Sequence, residues 1–188
     1  VTRWIARTTE REFNWQVMPL DAPMHDWHDA PILYLSGSDP MKIDKKYVAA
    51  YFSRAIAFEG KNRLDLAVAD YSAVTKLQPQ NAAAWNSRCW AHASMGRLQD
   101  ALADCDEALK LKPGYINALD SRGFVKLRMG KYDEAIADYD AALQIDQKKV
   151  ASLYGRGMAK RRKGDYTAGN VDIAAALVEA RGRVLTRG

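Results

Sequence analysis

The chain has 188 residues, a net charge of +5 and nearly half its residues apolar, enough for one buried core plus an extension. No run of 18 apolar residues occurs in it, which excludes a transmembrane helix. Two cysteines, Cys89 and Cys105, are too few for a disulfide framework.

Residues 1–47 form the first segment, an irregular arm. Its start, Val1-Thr2-Arg3-Trp4, lacks the apolar stretch of a signal peptide, so a cytoplasmic location is the expectation. The arm carries three of the five tryptophans, Trp4, Trp15 and Trp27, which is not the composition of a disordered tail. Pro19, Pro23, Pro31 and Pro40 interrupt it, and Ile32-Leu33-Tyr34-Leu35 predicts one short strand. A lone strand needs a neighbour, so the arm either packs over the segment that follows or lies in a groove of it as a built-in ligand. His25, Asp26, His28 and Asp29 make its one cluster of metal-ligating side chains, a weak signal next to prolines, and no metal is expected.

From Val48 onward the chain repeats every 34 residues. Arginine recurs at Arg54, Arg88, Arg122 and Arg156, and aspartate at Asp70, Asp104, Asp138 and Asp172. Small residues recur at Ala55, Cys89, Gly123 and Gly157, where two helices can approach closely. Asn62, Gly96, Gly130 and Gly164 mark a turn inside each unit. Pro79 and Pro113 stop the second helix of the first two units. Ala135, Tyr139, Ala142 and Leu143 show the apolar spacing of a helix face. The units are therefore 48–81, 82–115, 116–149 and 150–188, the last including a tail. Gln147 stands where a proline would end the third unit, so its second helix is expected to run on.

The stretch from Gly130 to Leu143, together with these columns, resembles the tetratricopeptide-repeat (TPR) family. The resemblance implies an all-α, right-handed superhelical α-solenoid of four helical hairpins, behind an irregular N-terminal extension containing a short strand. It implies a non-catalytic scaffold for a protein or peptide, with no cofactor. Chaperone-binding members hold a C-terminal carboxylate with Lys and Asn side chains of the first helices. Of the comparable positions Phe52, Ile56, Asn86 and Ser121 only Asn86 suits that task, so no such clamp is expected.

Two pairings would bring the arginine and aspartate columns level: Arg54 with Asp70 across a hairpin turn, or Asp70 with Arg88 across an inter-repeat loop. The inter-repeat set, Asp70–Arg88, Asp104–Arg122 and Asp138–Arg156, is preferred, because a guanidinium fork suits a bond repeated along a stack. On the first helices one stripe runs Ile56, Trp90, Phe124 and Met158, flanked by Phe52, Asn86, Asp120 and Tyr154, and by Glu59, Leu127 and Arg161. First helices line the concave side of a solenoid, so Phe52, Ile56, Asn86, Trp90, Phe124, Leu127, Tyr154, Met158 and Arg161 are the candidate ligand-binding groove. Ordinary inter-helix core is the competing reading of the same stripe.

Cys89 and Cys105 occupy packing columns and are expected to be buried, reduced thiols. His92 is expected in the core. Residues 156–188 hold eight Lys/Arg against three Asp/Glu, and Lys160-Arg161-Arg162-Lys163 is the densest run. A solvated helix end, complementing the C-terminal dipole, is favoured there over a nucleic-acid site. The last unit lacks a covering helix after Leu177, which points to a second copy of the chain as one partner. The alternative to a scaffold is an appendage of an enzyme. The stretch Trp27–Gly37 is similar to part of a bacterial α/β domain and would be the joint to it.

Overall fold

The computed structural model describes residues 47–185; the predicted strand Ile32–Leu35 and the His25–Asp29 cluster lie outside them. Among the described residues eight α-helices follow one another: α1 Val48–Gly60, α2 Leu64–Leu77, α3 Ala82–Ser94, α4 Leu98–Leu111, α5 Ile116–Arg128, α6 Tyr132–Ile145, α7 Val150–Lys163 and α8 Tyr166–Leu185. They pair as four hairpins, α1 with α2 through α7 with α8, and each hairpin stacks on the next. The described residues thus form an all-α solenoid.

Local chemistry ends each first helix in the same way. Asn62, Gly96, Gly130 and Gly164 have φ of 56°, 80°, 77° and 102°, a left-handed conformation that glycine and asparagine reach at least cost. The next residue's N–H returns to the helix five residues back: Arg63 to Phe58, Arg97 to His92, Lys131 to Lys126 and Asp165 to Lys160, at 2.8–3.0 Å. This satisfies carbonyls that the helix end would leave without partners. Second helices start and stop to a fixed length. α2, α4 and α6 each have 14 residues. The expected run-on of α6 past Gln147 does not occur. Asp146 stops it without a proline, its side chain accepting the N–H of Lys148 at 3.0 Å. α8, with no proline in its path, continues to 20 residues.

The core lies between the helices of each hairpin and between hairpins. Ala55, Ala67, Ala101, Ala108, Ala135 and Ala142 are fully buried, because only small side chains let the backbones close. Against them stand large partners. Tyr71 is fully buried. Tyr139 reaches between α5 and α7, where a Cβ added at Gly123 or Gly155 would come within 2.9 or 2.3 Å of its ring.

Substantial contacts that skip a helix run between first helices, α3 with α5 and α5 with α7. First helices therefore crowd together while second helices fan out. The stack curves, and α3, α5 and α7 form its inner wall.

A concave groove and an arginine ladder

On that inner wall lies a groove of about 590 Å³. Trp90 of α3, Phe124 and Leu127 of α5, and Tyr154 and Met158 of α7 give its apolar surface. They share one face because 34-residue spacing brings the same helical position back in each hairpin. The rings of Trp90 and Phe124 stack tilted, centroids 5.3 Å apart. Trp90 is 41% and Tyr154 50% exposed; aromatics this open are not filling a core.

The polar groups of the groove are Glu59, Asn86, Ser87, Asn117, Asp120 and Ser121. Glu59 accepts the Tyr71 hydroxyl at 2.8 Å, and burial, with that contact, raises the tyrosine's pKa. Asp120 accepts the Ser152 hydroxyl and stands 3.6 Å from the Lys149 ammonium. Burial pushes the Asp120 carboxyl above the usual carboxylate range despite both neighbours.

Of the residues expected in the groove, Asn86, Trp90, Phe124, Leu127, Tyr154 and Met158 line it. Three lie elsewhere. Phe52 packs edge-on against Tyr71, centroids 5.5 Å apart. Ile56 is half exposed, beyond the groove on the first hairpin. Arg161 lies along α8, its Cγ 2.5 Å from where a Cβ on Gly169 would sit. The expectation gave too little weight to the acceptors Asp120 and Glu59, which share the 34-residue columns of Asn86 and Leu127.

The ion pairs correct the sequence reading. The inter-repeat pairs Asp70–Arg88, Asp104–Arg122 and Asp138–Arg156 do not form. Each aspartate is held instead by the arginine of its own hairpin. Nε and Nη2 of Arg54, Arg88, Arg122 and Arg156 donate to both oxygens of Asp70, Asp104, Asp138 and Asp172 at 2.6–3.0 Å. In an antiparallel hairpin, residues equally far from the turn centre lie level. Asn62, Gly96, Gly130 and Gly164 are midway between the paired residues, eight positions from each. That symmetry is the signal in the sequence that separates the two pairings.

The third guanidinium nitrogen crosses to the preceding hairpin, two residues beyond the aspartate column. Nη1 of Arg122 binds Asp106 at 2.8 Å and that of Arg156 binds Asp140 at 2.7 Å. Nη1 of Arg88 binds the hydroxyls of Ser72 and Thr75, each at 3.1 Å. A second basic side chain joins three of the aspartates from one further column: His92 on Asp104, Lys126 on Asp138 and Lys160 on Asp172, at 2.8–2.9 Å. His92 is thus a polar partner of the ladder rather than apolar core. Phe58 fills that column in the first hairpin, with the Arg54 guanidinium 5.7 Å from its ring centre.

Cys89 and Cys105 are joined in a disulfide, which corrects the expectation of free thiols. They occupy the columns in which Ala55 faces Tyr71 and Gly123 faces Tyr139. Two cysteines level across one hairpin stand close enough to bond, with Cα atoms 5.4 Å apart.

Of the basic run, Lys160 is bound to Asp172 and Lys163 to Asp133; Arg161 and Arg162 are exposed. Among the described residues no group of three or more His, Cys, Asp or Glu could hold a metal, and no helix is long and apolar enough to cross a membrane.

Comparison with known proteins agrees with this architecture. Tetratricopeptide-repeat family profiles match residues 49–116 and 127–164. A search of curated proteins returns no match. Among solved structures, MamA superposes with a TM-score of 0.66 at 20% identity, over 75% of this chain and 82% of that one. The first TPR domain of Spaghetti (RPAP3), bound to the HSP90 peptide SRMEEVD, gives 0.61 at 19% identity, over 65% and 97%. The Arabidopsis OM64 TPR domain gives 0.60 at 21% identity, over 62% and 97%.

Proposed function

The chain belongs to the tetratricopeptide-repeat family, and on that premise we propose that it is a non-catalytic scaffold holding a peptide or helix of another protein in the groove of α3, α5 and α7. The observation that carries this is the exposure of Trp90 and Tyr154 on a concave apolar wall. Large aromatics in such a place supply most of the binding energy at peptide interfaces. The RPAP3 domain, of the same fold, was solved with a peptide bound. That peptide is acidic. A groove with Glu59 and Asp120 among its polar groups, and no Lys or Arg, suits a different sequence.

The reading is tested by selecting peptides from a random displayed library on the full chain and measuring their affinity for Trp90→Ala. Hot-spot aromatics are worth at least about 2 kcal/mol, so a loss of about thirtyfold is expected. Selected peptides that bind the variant as tightly as the parent would remove the groove from consideration.

One further observation favours a second mode of association. Tyr166, Val171, Leu177 and Val178 on α8 are 62–70% exposed, and we read this face as a contact with a second copy of the chain. Sedimentation should show a dimer that Leu177→Glu dissociates; a monomer at all concentrations would end this reading. The disulfide favours an oxidising compartment over the cytoplasm, which alkylation of Cys89 and Cys105 in freshly lysed cells would check.

A further inference from the structure

Among the polar side chains of the groove, Glu59 and Asp120 are carboxylates, and none is a cation. The Oδ1 of Asn86 is buried and has no hydrogen-bond partner among the described residues. Leaving an acceptor in that condition is unfavourable, and a donor on a bound ligand would relieve it. Two carboxylates share the groove with it, Glu59 from the first hairpin and Asp120 from the third. Asp120 occupies the Asn86 position one repeat on. Two cations stand at the edges of the groove: Lys149, held 3.0 Å from Asn117 Oδ1 and 3.6 Å from Asp120, and Arg128, whose guanidinium lies 5.8 Å from the Phe124 ring centre and donates to the Ala93 carbonyl. The residues that line the groove itself include the two carboxylates and no Lys or Arg, so its lining is acidic.

We propose that the occupant is a basic peptide: a segment in which Lys or Arg side chains, directed to Glu59 and Asp120, alternate with apolar ones that pack on Trp90, Phe124 and Met158. A backbone N–H of the peptide donates to Asn86 Oδ1. The inference rests on the reading of the groove as a peptide site and adds the charge of the ligand to it. Burial keeps the Asp120 carboxyl's pKa high, and a ligand cation beside it favours the ionised form, so binding and ionisation of Asp120 favour each other.

The test uses the same random displayed library, selected on the full chain and counter-selected on Trp90→Ala. Enriched peptides are synthesised with a fluorescein label and titrated by polarisation against the parent, Glu59→Gln and Asp120→Asn. Both substitutions keep shape and hydrogen bonding while removing charge, and circular dichroism confirms that the helices persist. The expected outcome is enrichment of Lys and Arg, with about a tenfold loss of affinity in each variant, equivalent to about 1.4 kcal/mol. Enriched peptides that are acidic or neutral, or affinities indifferent to both variants, overturn the inference and leave the peptide reading standing. No Trp90-dependent enrichment at all overturns both.

Discussion

At the scale of single residues, the aspartate column decides most. Asp138 is nearly buried and neutralises Arg122 and Lys126 together, so removing it leaves two half-buried cations with only the half-exposed carboxylates of Asp106 and Glu134. Breaking a buried pair from one side costs about 3–5 kcal/mol. Asp138→Ala should lose that much in urea denaturation. Asp106→Ala, whose carboxylate is half exposed, should lose less than about 1 kcal/mol. Equal losses would mean that the two contacts of Arg122 carry similar weight. Asp172 adds a pH dependence. Burial alone would raise its pKa, but hydrogen bonds from Arg156 and Lys160 outweigh it and hold the carboxyl below the usual range. A carboxylate with a depressed folded pKa stabilises above its unfolded pKa, near 4, and loses that contribution as pH falls through the folded value. Asp172→Asn should therefore be less stable than the parent at neutral pH and approach it in strong acid. A difference constant from pH 7 to pH 2 would refute this.

At the scale of the helix and the hairpin, the sequence column of small residues conceals three different devices. Ala55 makes room for Tyr71, Gly123 for Tyr139, and Cys89 bonds to Cys105. The glycine case can be weighed directly. Gly155→Ala gains up to about 1 kcal/mol of helix propensity but drives a methyl into the Tyr139 ring, and overpacking costs about 1–3 kcal/mol. The ring is held from both sides, so overpacking should win and the melting temperature should fall. A Cβ at Gly182 meets nothing within 4 Å, and Gly182→Ala should raise it. The cysteine case depends on the crosslink. Closing a loop of this size is worth about 3 kcal/mol in the chain-entropy account, and reduction also leaves two short side chains where the first and third hairpins hold a tyrosine. A reducing agent should lower the melting temperature markedly. Cys89→Gly with Cys105→Tyr, which installs the Gly123–Tyr139 pairing, should remove that sensitivity while keeping the fold. The columns made the hairpins legible from sequence, because a turn residue every 34 positions with small residues between fits few folds besides stacked helical pairs. The disulfide was not legible, since buried thiols and a bonded pair occupy the same columns.

At the scale of the whole molecule, a solenoid's stability is approximately a sum over repeats and the interfaces between neighbours, and here the interfaces are unequal. The Nη1 of Arg122 and Arg156 crosses to a carboxylate, while that of Arg88 crosses to two hydroxyls. The strict aspartate column hides this inequality in the sequence. Inter-repeat bonds were expected in that column, whereas the bridge uses a looser one, Ser72, Asp106 and Asp140, which stands out only once the within-hairpin pairs are placed. The groove was legible for the matching reason: first-helix positions return to one wall whatever the pairing. Its ends were not, because Phe52 and Arg161 answer to Tyr71 and α8 rather than to their columns. Ser72→Asp would give the first interface the carboxylate that the others have. The pair would be partly exposed and worth about 0.2–1 kcal/mol, and the Thr75 hydroxyl would still share the same nitrogen. The melting temperature should rise slightly in low salt and return to the parent value in about 1 M salt, where the Debye length shrinks to about 3 Å. A rise that survives high salt would come from packing, and a fall would mean that Arg88 has no capacity for a second carboxylate beside Asp104.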